Sequence, residues 1–205
     1  MQGFILNTNK VRDEDLIVTI LTENKIYTLY RFYGVRHSTI NIGFKIDFEI
    51  DQNGKTDIKR LKDVLHLGYP WILDNTKLYL WQQYLKLFFN HLKDIDNIDS
   101  FYFNSLNNLA HKLEKQNPKR AILENYIALC EFEGRLHKDF ICLLCEKTIY
   151  DNVVVIRGFN LVHTFCGYGK AIKLFAIRKL FFEKNSIALD DDECEYLWQI
   201  LLQGL

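Results

Sequence analysis

Three of the chain's five cysteines share a spacing pattern with one histidine. Cys142-x2-Cys145 is followed, after residues 146–162, by His163-x2-Cys166. A two-residue spacer makes a tight turn that points both flanking side chains at one centre. A second such turn, closed by a hairpin, completes a tetrahedron. Three thiolates and one imidazole nitrogen are the donor set of a structural Zn2+ site. Four protein ligands leave no open position, so a metal held this way is not catalytic. The bland alternative is two unrelated cysteine pairs beside a passing histidine. A redox CxxC wants a helix directly after it, whereas a β-like run, Val153-Val154-Val155-Ile156, follows here. The zinc-deaminase pattern of His-x-Glu is absent, since residue 165 is Phe. Cys130 falls among apolar helix positions and reads as core. Cys194 lies in an acidic run that raises a thiol pKa and argues against nucleophilic use.

Charge supplies the second kind of chemistry. Between residues 157 and 184 stand Arg157, Lys170, Lys173, Arg178, Lys179 and Lys184, opposed only by Glu183. A phosphate-binding or acid-binding face beside the knuckle fits this set, and a merely solvated helix face fits it equally well. Residues 190–195 hold five acids in six positions, as suits a helix start. A second basic set, Lys10, Arg12, Lys25, Arg31, Arg36, His37 and Lys45, interleaves with Tyr27, Tyr30, Phe32 and Tyr33. Small barrels bind single strands by stacking bases on aromatics while cations track phosphates. No P-loop, Gly-rich dinucleotide turn, paired-carboxylate motif or nucleophile elbow is present, so nothing argues for an enzyme.

The elements that must position these residues fall into two kinds. Residues 3–8, 16–21 and 26–33 read as short strands, with a polar turn at 22–25. Ile42, Phe44, Ile46, Phe48 and Ile50 alternate with Gly43, Lys45, Asp47 and Glu49, the period of a strand with one buried face. Asn53-Gly54 is a turn dipeptide, so a fifth strand should start near Thr56. Five strands in about 65 residues predict a small closed barrel, because closure removes exposed edges. Helices are predicted over 76–92 with Asn75 as cap, over 98–115, and from Asn117-Pro118 to Gly134. The segment 140–169 is Cys-rich and broken by glycine; helices return over 168–182 and 191–202. The expected class is α+β and multidomain: a barrel over 1–66, then a helical domain over 67–205 with a zinc knuckle inserted at about 140–169.

Composition sets the outer bounds. The 205 residues carry 26 Lys+Arg and 26 Asp+Glu, so the chain as a whole is no basic coat for nucleic acid. Apolar residues reach 48%, a globular value. No run approaches the ~18 apolar residues of a spanning helix, and the first residues lack the pattern of a signal peptide, so a cytoplasmic protein is expected.

Several stretches resemble one family. Gly3-Phe4-Ile5-Leu6-Asn7-Thr8 is similar to the opening strand of RecO proteins. The run from Arg12-Asp13-Glu14-Asp15 to Leu21-Thr22-Glu23 resembles that family's first turn and second strand. Gly34-Val35-Arg36-His37-Ser38 resembles its basic loop, with His37 where the family often has arginine. The knuckle resembles the family's CxxC…CxxC, with His163 in place of a cysteine. The likeness is nearest to the short RecO proteins of Campylobacter and Helicobacter relatives. It implies an N-terminal OB-fold barrel and a non-enzymatic recombination mediator. Such a protein binds single- and double-stranded DNA, anneals complementary strands, and with RecR helps load RecA on DNA coated by SSB. Under this likeness Lys10, Arg12, Arg31, Arg36 and Lys45 are the candidate DNA-binding residues. Arg157, Lys170, Lys173, Arg178 and Lys179 are the candidates for the acidic tail of SSB, and Cys142, Cys145, His163 and Cys166 for Zn2+. The competing expectation is a zinc-knuckle interaction scaffold that binds no nucleic acid, which the neutral net charge favours.

Overall fold

A computed structural model describes residues 1–51 and 58–205. The chain divides into two compact units, Met1–Lys115 and Gln116–Leu205.

The first unit opens with strands β1 (Gln2–Lys10), β2 (Leu16–Leu21), β3 (Ile26–Arg31), β4 (Lys45–Asp51) and β5 (Arg60–His66). They close into a barrel in the order β1-β2-β3-β5-β4, so no strand edge is left open. All neighbours are antiparallel except β3 and β5, which meet in parallel at Tyr30 and Arg60. Ile5, Val18, Ile20, Leu29, Ile46, Phe48 and Leu61 fill the interior. The alternation seen over 42–50 therefore has its inward face at Ile46 and Phe48. Two expected bounds shift. β3 stops at Arg31, because Tyr33 takes a left-handed backbone (φ 51) that starts a short 3-10 turn over Gly34–Arg36. β4 starts only at Lys45, because Gly43 (φ 91) turns the chain beneath Trp81. A Cβ on Gly43 would lie 2.7 Å from the indole, so the turn requires glycine there. The expected turn at Asn53-Gly54 and strand start at Thr56 lie outside the described residues.

Helices α1 (Asn75–His91) and α2 (Ser100–Lys112) complete this unit. The cap of α1 is Asp74 rather than Asn75: its carboxylate accepts from the N–H groups of Thr76 and Lys77. Asp99 caps α2 in the same way, so that helix begins after the expected residue 98. Trp81 of α1 stands edge-on to Phe4 at 5.9 Å, and its indole N–H donates to the Gly43 carbonyl at 2.9 Å. Trp71 likewise donates to the Ala110 carbonyl at 2.7 Å. Each buried indole thus has its polar group satisfied.

The second unit contains α3 (Pro118–Phe132), α4 (Leu174–Glu183), α5 (Asp191–Leu201) and a sheet of β6 (Asn152–Ile156), β7 (Asn160–His163) and β8 (Ala171–Lys173) in the order β7-β6-β8. Asn117 caps α3, with Pro118 in the first turn and Gly134 (φ 69) just past the end, as the sequence predicts. A capping box of Asp190 and Glu193 starts α5. The helix expected from residue 168 is different. Residues 171–173 pair with 152–154 as a third strand, and α4 begins only at Leu174. Gly169 (φ 156) makes this possible, since a Cβ there would meet the Tyr196 hydroxyl at 2.1 Å.

Candidate metal centre and nucleic-acid interface

Two turns build the knuckle. In the first, the Cys142 N–H donates to the Lys147 carbonyl (2.9 Å), and the Glu146 N–H donates back to the Cys142 carbonyl (2.8 Å). Glu146 adopts φ 59 to close the loop. Ile141 and Thr148 form a β-bridge at its base. In the second, the N–H groups of Cys166 and Gly167 both donate to the His163 carbonyl, at 3.0 and 3.2 Å. His163 ends β7, where it pairs with Val153, so the sheet fixes the histidine against the first turn. Gly167 passes so close to Val162 that a Cβ would lie 2.5 Å from its methyl group.

These turns bring Cys142, Cys145, His163 and Cys166 together, with one ligand atom of each within 4.8 Å of all the others. The His163 Nδ1 lies 3.3 Å from the Cys145 sulfur and 3.9 Å from that of Cys166. Its Nε2 lies 3.1 Å from the Thr148 carbonyl. A carbonyl only accepts, so Nε2 carries the proton and Nδ1 presents its lone pair to the sulfurs. Phe165 stacks on the same imidazole at 4.8 Å. Burial works against the Cys142 thiolate, yet N–H donors from His163, Cys145 and Leu144 outweigh it and bring the thiol down to about 6. Burial and the neighbouring Cys145 and Cys142 sulfurs push Cys166 up to about 11. One thiolate is thus already favoured, while the second resists ionising beside it. A cation at the centre removes that repulsion, so the donor set fits a soft divalent metal. The fixed imidazole tautomer and the backbone N–H groups on sulfur were not readable from spacing.

The other two cysteines stand apart. Cys130 is buried on α3, and burial raises its thiol pKa. Cys194 is pushed up to about 11, chiefly by burial and only secondarily by Asp191, Glu193 and Asp190. The acidic run expected to govern it is thus the smaller cause.

The barrel cations divide. Lys10, Leu16 and Arg31 occupy one row across β1, β2 and β3, so Lys10, Arg31 and the Arg12 turn share one barrel end. Arg31 donates to the Leu61 carbonyl at 3.0 Å and lies 3.5 Å from His37. Arg36 pairs with Glu14 at 2.6 Å and lies over the Tyr33 ring at 5.3 Å. Asp15 anchors this end: it accepts from the Tyr30 hydroxyl and, at 2.8 Å, from the Tyr33 N–H. Those bonds lower its pKa, the Tyr30 bond most. Arg60 lies over Phe32 at 4.9 Å, and Tyr30 meets Phe32 edge-on. Phe32 and Tyr33 are both exposed, so this end presents aromatic faces beside guanidinium groups. Arg60 was missed in the sequence, because only the parallel pairing of β5 with β3 brings it there.

Lys45 sits elsewhere. It pairs with Phe4, about 20 Å along β1 from Lys10 at strand rise. Its ammonium donates to Asn107 at 2.9 Å and lies over Phe4 and Phe103 at 5.9 and 5.6 Å. Partial burial lowers its pKa. The structure therefore does not bring Lys45 to the other barrel cations.

The five cations of the second unit also separate. Arg157 lies in a 3-10 turn after β6. Lys170 faces Asp190 and Asp192 at 3.7 and 3.5 Å. Lys173 ends β8, whereas Arg178 and Lys179 belong to α4. No helix among the described residues is long and apolar enough to cross a membrane. No curated protein matches the chain. Residues 1–72 match a family model described as RecO N terminal, which spans the whole barrel. The barrel of this chain is thus similar to the N-terminal domain of RecO proteins.

Proposed function

We propose that this protein acts in DNA recombination and repair as a non-enzymatic mediator. In that role it binds single- and double-stranded DNA, anneals complementary strands, and with RecR helps load RecA on SSB-coated DNA. The observation that carries the proposal is the barrel end where Arg31, Arg36 and Arg60 stand beside exposed Phe32 and Tyr33. Exposed rings next to cations suit a strand whose bases stack while its phosphates are neutralised. Lys10 and Arg12 extend this face, and Lys45 serves as a brace within the first unit. The knuckle holds Zn2+ through Cys142, Cys145, His163 and Cys166 in a structural role. Of the cations Arg157, Lys170, Lys173, Arg178 and Lys179 expected to meet the acidic SSB tail, Lys170 is the weakest candidate because Asp190 and Asp192 already face it, and Lys173, Arg178 and Lys179 stand near exposed rings that suit a nucleic-acid strand instead.

A labelled oligonucleotide titrated at two salt concentrations tests the reading. Affinity should fall steeply with salt. The Arg12/Arg31/Arg36 triple alanine variant should lower the slope by about 0.7 for each phosphate of a single strand that it no longer neutralises. An unchanged slope in that variant would move the site off the barrel. Absence of any binding by the wild type would favour the scaffold alternative.

A further inference from the structure

The outer face of α4 has a composition that solvation alone does not explain. Its inner face, Leu174, Ala176, Ile177, Leu180 and Phe181, is buried. Phe175, Arg178, Lys179 and Phe182 recur at intervals of three and four and share the outer face. Phe175 is 67% and Phe182 53% exposed. Lys179 lies over Phe175 at 5.8 Å, Lys138 over Phe182 at 5.1 Å, and Arg178 over Phe140 at 4.8 Å. Phe140 and Phe182 are 5.9 Å apart, so rings and cations form one continuous ridge.

The charges along this ridge are not balanced from within. Lys138 and Lys184 both pair with Glu131. Among the described residues, no carboxylate lies within ion-pair distance of Lys173, Arg178 or Lys179. The one acid of α4 is Glu183, its last residue. Three uncompensated cations beside two exposed rings call for a ligand that is both anionic and flat.

We infer that this ridge is a second single-strand surface, where bases stack on Phe175 and Phe182 while Lys173, Arg178 and Lys179 hold phosphates. The inference rests on the DNA-binding role proposed above and adds a site separate from the barrel. Phe175 and Phe182 are about 10 Å apart along the helix axis, so one strand can reach both rings. An acidic peptide with an apolar anchor asks instead for a concave pocket. The 200 Å3 cavity beside Cys142 and the open 460 Å3 hollow at the start of α3 are lined by other residues. A helix face is convex and suits stacking. Two strand sites on one chain would also let it hold both partners of an annealing reaction against their mutual repulsion.

The test uses the full chain and an octathymidylate carrying 5-iodouracil. Irradiation should cross-link it to Phe175 or Phe182 as well as to the first unit. Titration should give two octathymidylates per chain, falling to one in the Phe175→Ala/Phe182→Ala variant, with the remaining affinity unchanged. Removing either ring should weaken the ridge site by about 5- to 150-fold. Both positions are exposed, so unfolding is not expected, and an unchanged melting temperature checks this. Two strands retained in the double variant, or cross-links confined to residues 1–115, would overturn the inference while leaving barrel binding intact. An acidic peptide that binds α4 while the oligonucleotide does not would also overturn it. A wild type that binds no octathymidylate at all would remove both this inference and the DNA-binding role.

Discussion

Removing the metal should unfold part of the second unit and leave the first alone. That unit has about 90 residues. At 0.05–0.15 kcal/mol per residue it has roughly 5–14 kcal/mol of stability. Structural Zn2+ sites in small peptides contribute about 10–16 kcal/mol at neutral pH. The ion's contribution is therefore comparable to the stability of the whole unit. It acts where the apolar core is thinnest: the knuckle between Phe140 and Gly169 exposes Leu143, Leu144, Tyr150, Phe165 and Tyr168. His163 belongs to β7, so loss of the metal should reach β6 through the Val153 pairing. Hydrogen exchange read by mass spectrometry, before and after a strong chelator, is the assay. Peptides covering 140–173 should lose protection, while those covering β1 to β5 keep theirs. Cys142→Ser should reproduce the chelated pattern, and Cys130→Ser should retain one Zn2+ per chain. Clean protein without zinc, or a chelated chain with full protection over 140–173, would refute this reasoning.

Two further predictions concern the first unit. Lys45→Met should leave the salt slope of DNA binding unchanged, because Lys45 is held by Asn107 and two rings away from the other cations; a slope reduced as in Arg36→Ala would return it to the interface. Asp15 has a lowered pKa through Tyr30 and the Tyr33 N–H, so its stabilisation is complete above the usual carboxylate value and is lost as pH falls through the lower folded value. Asp15→Asn should accordingly flatten the acid limb of the melting curve and weaken oligonucleotide binding a few-fold by loosening the Tyr33 turn, and an identical acid limb would count against the anchor.

Local features were legible in the sequence wherever the signal was itself local. The alternation through Ile46 and Phe48, the Asn117-Pro118 cap and the paired two-residue spacers each state a structure within a few residues, and each appears as expected. Features created by distant pairing were not legible. Ala171-Ile172-Lys173 runs without a break into a helical pattern, and only hydrogen bonds to residues 152–154 make it a strand. Lys45 reads as an outward strand cation, but Phe103 and Asn107 from α2 cover that position. Arg60 joins Phe32 only because β5 closes the barrel in parallel with β3.

The same distinction governs how charge should be read. Seven barrel-region basic residues, His37 among them, and six knuckle-region cations look alike in sequence. In the structure, some are already satisfied: Lys184 by Glu131, Lys170 by Asp190 and Asp192, Lys45 by Asn107. A paired cation can bind a phosphate only by giving up its partner, which cancels much of the gain. The cations best placed to bind a polyanion are those beside exposed rings without a carboxylate, as Arg178 and Lys179 are. Arg36 is intermediate, since a phosphate must compete with Glu14. Glu14→Gln should therefore tighten oligonucleotide binding a few-fold at low salt, an effect that disappears in the Arg36→Ala background.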